Sequence, residues 1–282
     1  DGTGTTLSTG KIGIGTTTPA SLLDVAGTVQ LRGFSTSTTG LYVNGSGNIG
    51  IGTTTPNNLL QVYDLLSFNN TDFNTQSGYQ AGKNIVAGAQ YNAFYGYQAG
   101  YSAANGSAAD YNTAVGYQSL YSNTTGYNNS AIGYQSLYRN TTGYQNSAIG
   151  SYSLDSNTTG YQNTANGYQS LDSNTTGYQN SAIGYRSLYS NTTGYQNSAI
   201  GSYSLYFNTS GYQNSAIGLY SLSSNTTGDN NSAIGSYSLD SNTTGASSTA
   251  VGYASLYYNK TGSANAVLGA EAGYGVSGGN VA

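Results

Sequence analysis

The chain has 282 residues with a net charge of −4, only 6% charged side chains, 30 tyrosines, 41 glycines, and no His, Cys, Met or Trp. Charged residues make up about a quarter of an ordinary globular domain, and the six Lys and Arg here are scattered, so no basic patch offers itself to nucleic acid. Lack of Cys removes any disulfide framework, and no apolar run reaches the length of a membrane span or of a signal segment. A chain that begins at Asp1 and holds no Met is expected to be a processed or partial product of something longer.

The first quarter carries a repeat. "KIGIGTTTPASLLDV" (Lys11 to Val25) returns as "NIGIGTTTPNNLLQV" (Asn48 to Val62), with the two prolines, Pro19 and Pro56, at the same place in each copy. Proline ends a ladder and fixes a turn, which predicts short strands broken there. The glycine-rich "GIGTTTPASLL" lacks the Lys and the spacing of a phosphate-binding loop and reads as a turn. "GIGTTTP" followed by a short apolar strand is similar to shaft-like segments of tail fibres and fibrous adhesins. In tail fibres such segments often precede a self-cleaving trimerisation chaperone, and no such domain is visible in this sequence. Residues 1–73 are assigned to this shaft-like segment and residues 74–111 to irregular transition repeats. Residues 112–282 form a third region.

That third region is written in one sentence of seventeen residues. "NSAIGYQSLYRNTTGYQ" (Asn129 to Gln145) is followed at once by "NSAIGSYSLDSNTTGYQ" (Asn146 to Gln162), and nine such copies run from Asn112 to Ala264 before a degenerate last one. The third position is always Ala, the fifth always Gly, the ninth always Leu, and Asn-Thr-Thr-Gly or a close variant closes the unit. Prion-like disorder shares this composition, but it needs no strict register, whereas fixed apolar columns mark stacked structural units. Interior glycines cost a helix ~1 kcal/mol each relative to Ala, while β-branched and aromatic residues fill short runs such as Ser130-Ala131-Ile132 and Tyr134-Gln135-Ser136-Leu137-Tyr138. Each unit is therefore expected to be a coil of two short strands and two turns. The turn at Asn-Thr-Thr-Gly would use glycine's access to positive φ. Coils stacked about 4.8 Å apart would make a rod on the order of 50 Å long.

One such coil holds few invariant apolar positions, which suggests that it cannot fill its own interior. Packing several chains about a shared axis would solve this, with the fourth-position column facing inward: Val115, Ile132, Ile149, Ile183, Ile200, Ile217, Ile234 and Val251. Asn166 breaks that column and would then form an axial polar layer. Such layers fix register between chains in coiled coils; drift at a tolerant, partly exposed position is the plain alternative. "NSAIG", "NTAVG" and the following "YQSL" or "YASL" resemble the head repeats of trimeric autotransporter adhesins. "NTAVGYQSLYSNTTG" (Asn112 to Gly126) also looks like repeats of phage tail fibres and related bacterial surface proteins. The resemblance runs from Asn74 to about Gly269, loosely before Asn112, and the period is longer than in the shortest adhesin repeats. It implies an all-β parallel solenoid, or β-roll, assembled as a homotrimer.

Chemistry is scarce. The acidic residues of the repeat, Asp155, Asp172, Asp229 and Asp240, read as solvated surface variation, and a Ser nucleophile would have no His to activate it. No catalytic, cofactor-binding or metal site is assigned, and calcium-binding repeats would need acidic residues in every coil. Asn123, Asn140, Asn157, Asn174, Asn191, Asn208, Asn225, Asn242 and Asn259 each open an Asn-x-Ser/Thr sequence and are candidate glycan acceptors. The same residues are also good turn formers able to hydrogen-bond along a ladder, which is the favoured assignment. Columns of Tyr, such as Tyr127 to Tyr212 and Tyr121 to Tyr257, are expected to stack. The function expected is a non-enzymatic structural fibre or adhesin segment, an extracellular rod at a cell or virion surface. Its expected partners are its own copies, by trimerisation and by end-to-end or lateral assembly, and a surface glycan or receptor. The alternatives are a repeat-surface protein that binds glycans or, with its Thr124, Thr141 and Thr158 column, ice, and a glycan-cleaving fibre. Adjacent Thr-Thr pairs, which a strand would point to opposite faces, speak against the ice-binding form; absent acid–base pairs speak against cleavage.

Overall fold

The computed structural model describes residues 5–8, 11–14, 18, 21, 23–25, 29–32, 39–51, 53, 55, 60–62, 66–69, 72–102 and 109–278. The chain divides into two compact units, Asp1–Ser77 and Gly78–Ala282.

The first unit is built of short strands: β1 (Thr5–Ser8), β2 (Lys11–Ile14), β3 (Leu23–Val25), β4 (Val29–Arg32), β5 (Thr39–Val43), β6 (Ile49–Ile51), β7 (Leu60–Val62), β8 (Leu66–Asn69) and β9 (Asn74–Ser77). Both copies of the N-terminal repeat make the same pairing. β2 lies parallel to β3 with Ile12 opposite Leu23, and β6 lies parallel to β7 with Ile49 opposite Leu60. Antiparallel β1 and β5 flank them. Identical sequence thus sets identical register, as an apolar pattern of period two requires. The turns expected at Pro19 and Pro56 lie outside the described residues.

The second unit is a parallel β-solenoid. Its strands are β10 (Ala93–Tyr95), β11 (Thr113–Val115), β12 (Ser130–Ile132), β13 (Ser147–Ile149), β14 (Thr164–Asn166), β15 (Ser181–Ile183), β16 (Ser198–Ile200), β17 (Ser215–Ile217), β18 (Ser232–Ile234), β19 (Thr249–Val251) and β20 (Ala266–Leu268). Each pairs in parallel with the next at the same repeat position: Ala131 faces Ala148, and Ile132 faces Ile149. The first step pairs Ala93 with Thr113, three residues longer than the regular period that starts at Thr113 and Ser130.

Each coil holds one strand, not the two expected. The run Tyr134 to Tyr138 is a chain of turns in which Gln135 (φ 49°) and Leu137 (φ 50°) take left-handed backbone. The N–H groups of both residues still bond along the stack. Gln135 donates to Tyr117 O of the preceding coil at 2.9 Å, and Leu137 to Ser153 O of the following coil at 3.0 Å. The ladder therefore continues through the turns, which is how this backbone meets its hydrogen-bonding demand.

The interior corrects a second expectation. One chain does fill its own coil: the third-position Ala and ninth-position Leu columns, Ala114 to Ala250 and Leu120 to Leu256, are at most 1% exposed. Two buried Asn columns and a buried Ser column complete it, and among the described residues no buried side-chain nitrogen or oxygen lacks a partner.

Candidate functional site

The side chains that could meet another molecule lie in columns on the outside of the solenoid. The fourth-position residues Val115, Ile132, Ile149, Ile183, Ile200, Ile217 and Ile234 are 37–42% exposed, and Val251 is half-buried. In their own chain they face outward: alternation in a three-residue strand buries Ala at its centre and turns its two neighbours away. They are not part of the coil's core, and only a neighbouring molecule could bury them. Asn166 sits among them, exposed, its carbonyl accepting from Gly184 N–H at 2.9 Å.

The glycan-acceptor candidates have the opposite fate. All nine, Asn123, Asn140, Asn157, Asn174, Asn191, Asn208, Asn225, Asn242 and Asn259, are fully buried. Each donates from Nδ2 to the Gly carbonyl three residues on, at 2.8–3.1 Å. From Asn140 to Asn242 each also donates to Oδ1 of the Asn one coil earlier, at 2.7–2.9 Å. An amide so enclosed has no room for a sugar, so the folded solenoid carries no glycan ladder there. The glycine of this turn is needed for closeness and not for positive φ: a Cβ on Gly143 would collide with Asn140 Oδ1 and with Gly160 O.

A second Asn ladder, at the first position, was not singled out from sequence. Asn146 takes its own backbone N–H to Asn129 Oδ1 at 3.0 Å and donates from Nδ2 to Gly160 O at 2.9 Å. Its signal was available, since Asn fills the first position in every regular coil except the one that starts at Ser248.

The tyrosines stack as expected. Tyr127, Tyr144, Tyr161, Tyr178, Tyr195 and Tyr212 form one column with centroids 4.9–5.0 Å apart and rings within 5° of parallel. Beside it, Gln145 to Gln213 link side chain to side chain at 3.1–3.2 Å. Another column is interrupted: Tyr121 and Tyr138 stack, Asp155 and Asp172 follow, and Tyr189 and Tyr206 resume. These aspartates are half-buried, not freely solvated. Burial first, then the charge of Asp155, pushes the Asp172 carboxyl up to about 6, against the pull of Arg139 and Arg186. Burial also raises Asp155, although Arg139 Nη1 lies 3.8 Å from its carboxylate, and raises Asp240, which Ser223 and Tyr257 hold back by hydrogen bonds. The Thr124, Thr141 and Thr158 hydroxyls are occupied, each donating to the Thr carbonyl of the next coil at 2.9–3.0 Å.

Among the described residues no three His, Cys, Asp or Glu side chains converge as a metal site would require, and no helix is long and apolar enough to cross a membrane. No protein-family model, curated protein or solved structure matches this chain.

Proposed function

We propose that this chain is a segment of a structural fibre or adhesin, a non-enzymatic extracellular rod that serves attachment or surface extension and assembles as a homotrimer. The observation that supports it is the line of exposed aliphatic side chains, interrupted only at Asn166 between Val115 and Ile234, on a regular ladder whose interior is complete without them. Ile and Val left in water along this column forgo about 25 cal/mol per Å² of apolar area that a partner could cover. A repeat of one period in every chain lets copies meet in register, each aliphatic column covering its equivalents about a common axis. The closed, fully hydrogen-bonded interior suits a spacer that bears load, and the outer surface of a cell or virion is where such a rod would act.

The test is the oligomeric state of the purified chain by native mass spectrometry, beside the Ile200→Asp variant. Ile200 is 40% exposed in one chain, so the variant should keep its circular dichroism while losing the trimer, because three carboxylates cannot share a closed apolar axis. A wild-type monomer, or a variant trimer as stable as the wild type, overturns the reading. A glycan-binding face is the second reading, favoured by the stacked Tyr127 to Tyr212 column and its Gln neighbours. Ice binding through the Thr column is disfavoured by its internally bonded hydroxyls.

A further inference from the structure

Near the last coils a tyrosine column ends and leaves a recess. At the seventh position Tyr203, Tyr220 and Tyr237 stack with centroid distances of 4.8 and 5.5 Å and interplanar angles of 3° and 13°. The next two coils carry Ala254 and Glu271 there, on the same left-handed backbone (φ 50° and 55°, against 62° at Tyr237). The column thus loses a ring where the backbone would accept one, and a recess of about 230 Å³ opens, lined by Tyr237, Tyr253, Ala254, Tyr257, Glu271 and Tyr274. Two of the rings around it are turned away from parallel with Tyr237. Tyr253 stands at 80° to Tyr237 with centroids 6.0 Å apart, and Tyr257 is tilted 51° from Tyr237 at 6.4 Å. Tyr274 stacks on Tyr257 at 5.3 Å.

The charge around the recess has one sign. Glu271 is in its wall, Asp240 lies just behind, hydrogen-bonded to Tyr257, and no Lys or Arg is among the lining residues. Four tyrosine rings border this open recess, and the face of each carries the negative lobe of the ring quadrupole. A cation set among several such rings is attracted to each.

We infer that this recess binds a small organic cation of the quaternary-ammonium class, a trimethylammonium group. The four rings and Ala254 can meet its methyl groups, and Glu271 balances its charge. The volume falls below that of pockets for drug-sized ligands, several hundred Å³, and suits a head group. The recess is complete in one chain and does not depend on the oligomeric state. Both a free choline-like molecule and the head group of a phosphocholine lipid carry this chemistry.

The experiment titrates the full chain with choline, followed by saturation-transfer NMR of the N-methyl resonance, beside dimethylbutanol, its neutral carbon isostere. Choline should bind saturably in the millimolar range, and the isostere at least fivefold more weakly. The Ala254→Tyr variant restores the side chain found at Tyr220 and Tyr237, so it should fold and lose binding. The Glu271→Gln variant, matching Gln135 at the same repeat position, should weaken binding about fivefold, as expected for one exposed charge pair, and carries the test should Ala254→Tyr misfold. No saturable binding, equal binding of the isostere, or full binding by both variants overturns the proposal. Sedimentation with phosphatidylcholine vesicles that choline reverses assigns the lipid as source; choline binding without it assigns the free cation, and either result supports the site.

Discussion

Asp172 shows how a single side chain can make a repeat protein sensitive to pH. Its carboxyl is raised to about 6 because burial, and then the neighbouring Asp155 charge, disfavour the ionised form. A carboxyl with a raised folded-state value contributes stability that is fully present below its unfolded value, near 3.9, and is lost as pH rises through about 6. The solenoid should therefore resist urea better at pH ~4.5 than at pH ~7.5, with the change spread across that interval. For a half-buried group, screened by solvent, the effect is about 1–2 kcal/mol. The Asp172→Asn variant should be more stable by that amount at neutral pH and should flatten the dependence. A wild type that loses stability on acidification through this range would contradict it.

At the scale of one coil, the first rung carries a compensated exchange. Phe94 stands at the third position, where the nine regular coils have Ala, and Gly100 stands at the ninth, where those coils have Leu. Phe94 is fully buried, and a Cβ on Gly100 would lie 2.7 Å from its ring. Large and small have changed places across one interior, which preserves volume and packing density. Gly100 already has left-handed backbone (φ 61°), as Leu120 does (φ 52°), so backbone strain does not bar a leucine there. The Gly100→Leu variant should cost about 2–3 kcal/mol through overpacking. Adding Phe94→Ala should recover most of it, since residues in contact couple strongly. Additive losses in thermal melts of the double variant would refute the exchange.

Across the whole solenoid, near-identical coils create a hazard of slippage, because a shift of one unit returns almost the same contacts. Asn166 is the landmark in the exposed aliphatic column. If three chains meet along that column, their Asn166 amides face one another and must find partners. The Asn166→Ile variant is then expected to melt higher while forming mixed-register assemblies, visible as species of unequal length by native mass spectrometry. Unchanged melting and unchanged register would leave Asn166 as an exposed substitution without consequence. Coils whose interior is closed by their own Ala and Leu confine such effects to the contact between chains.

What the sequence determined by itself was the period and everything that follows from translation. Residues one period apart must stack, so parallel register, the Ala and Leu columns, the tyrosine stacks and the Asn turn ladder were all readable before any coordinates. What only the tertiary structure decided was which side of the coil each column occupies. Strand alternation would assign sides if the chain stayed extended, but it is reset by left-handed residues that are not glycine, such as Gln135, Leu137 and Gln145. Each costs roughly 1–2 kcal/mol in isolation, and no local preference announces them. They hold because a neighbouring coil supplies hydrogen bonds to their N–H groups and because the bend drives Leu137 into the interior. That compensation exists only between coils, so it was decided by the stack: amides were enclosed as ladders, aspartates were half-buried between rungs, and the isoleucines were left outside.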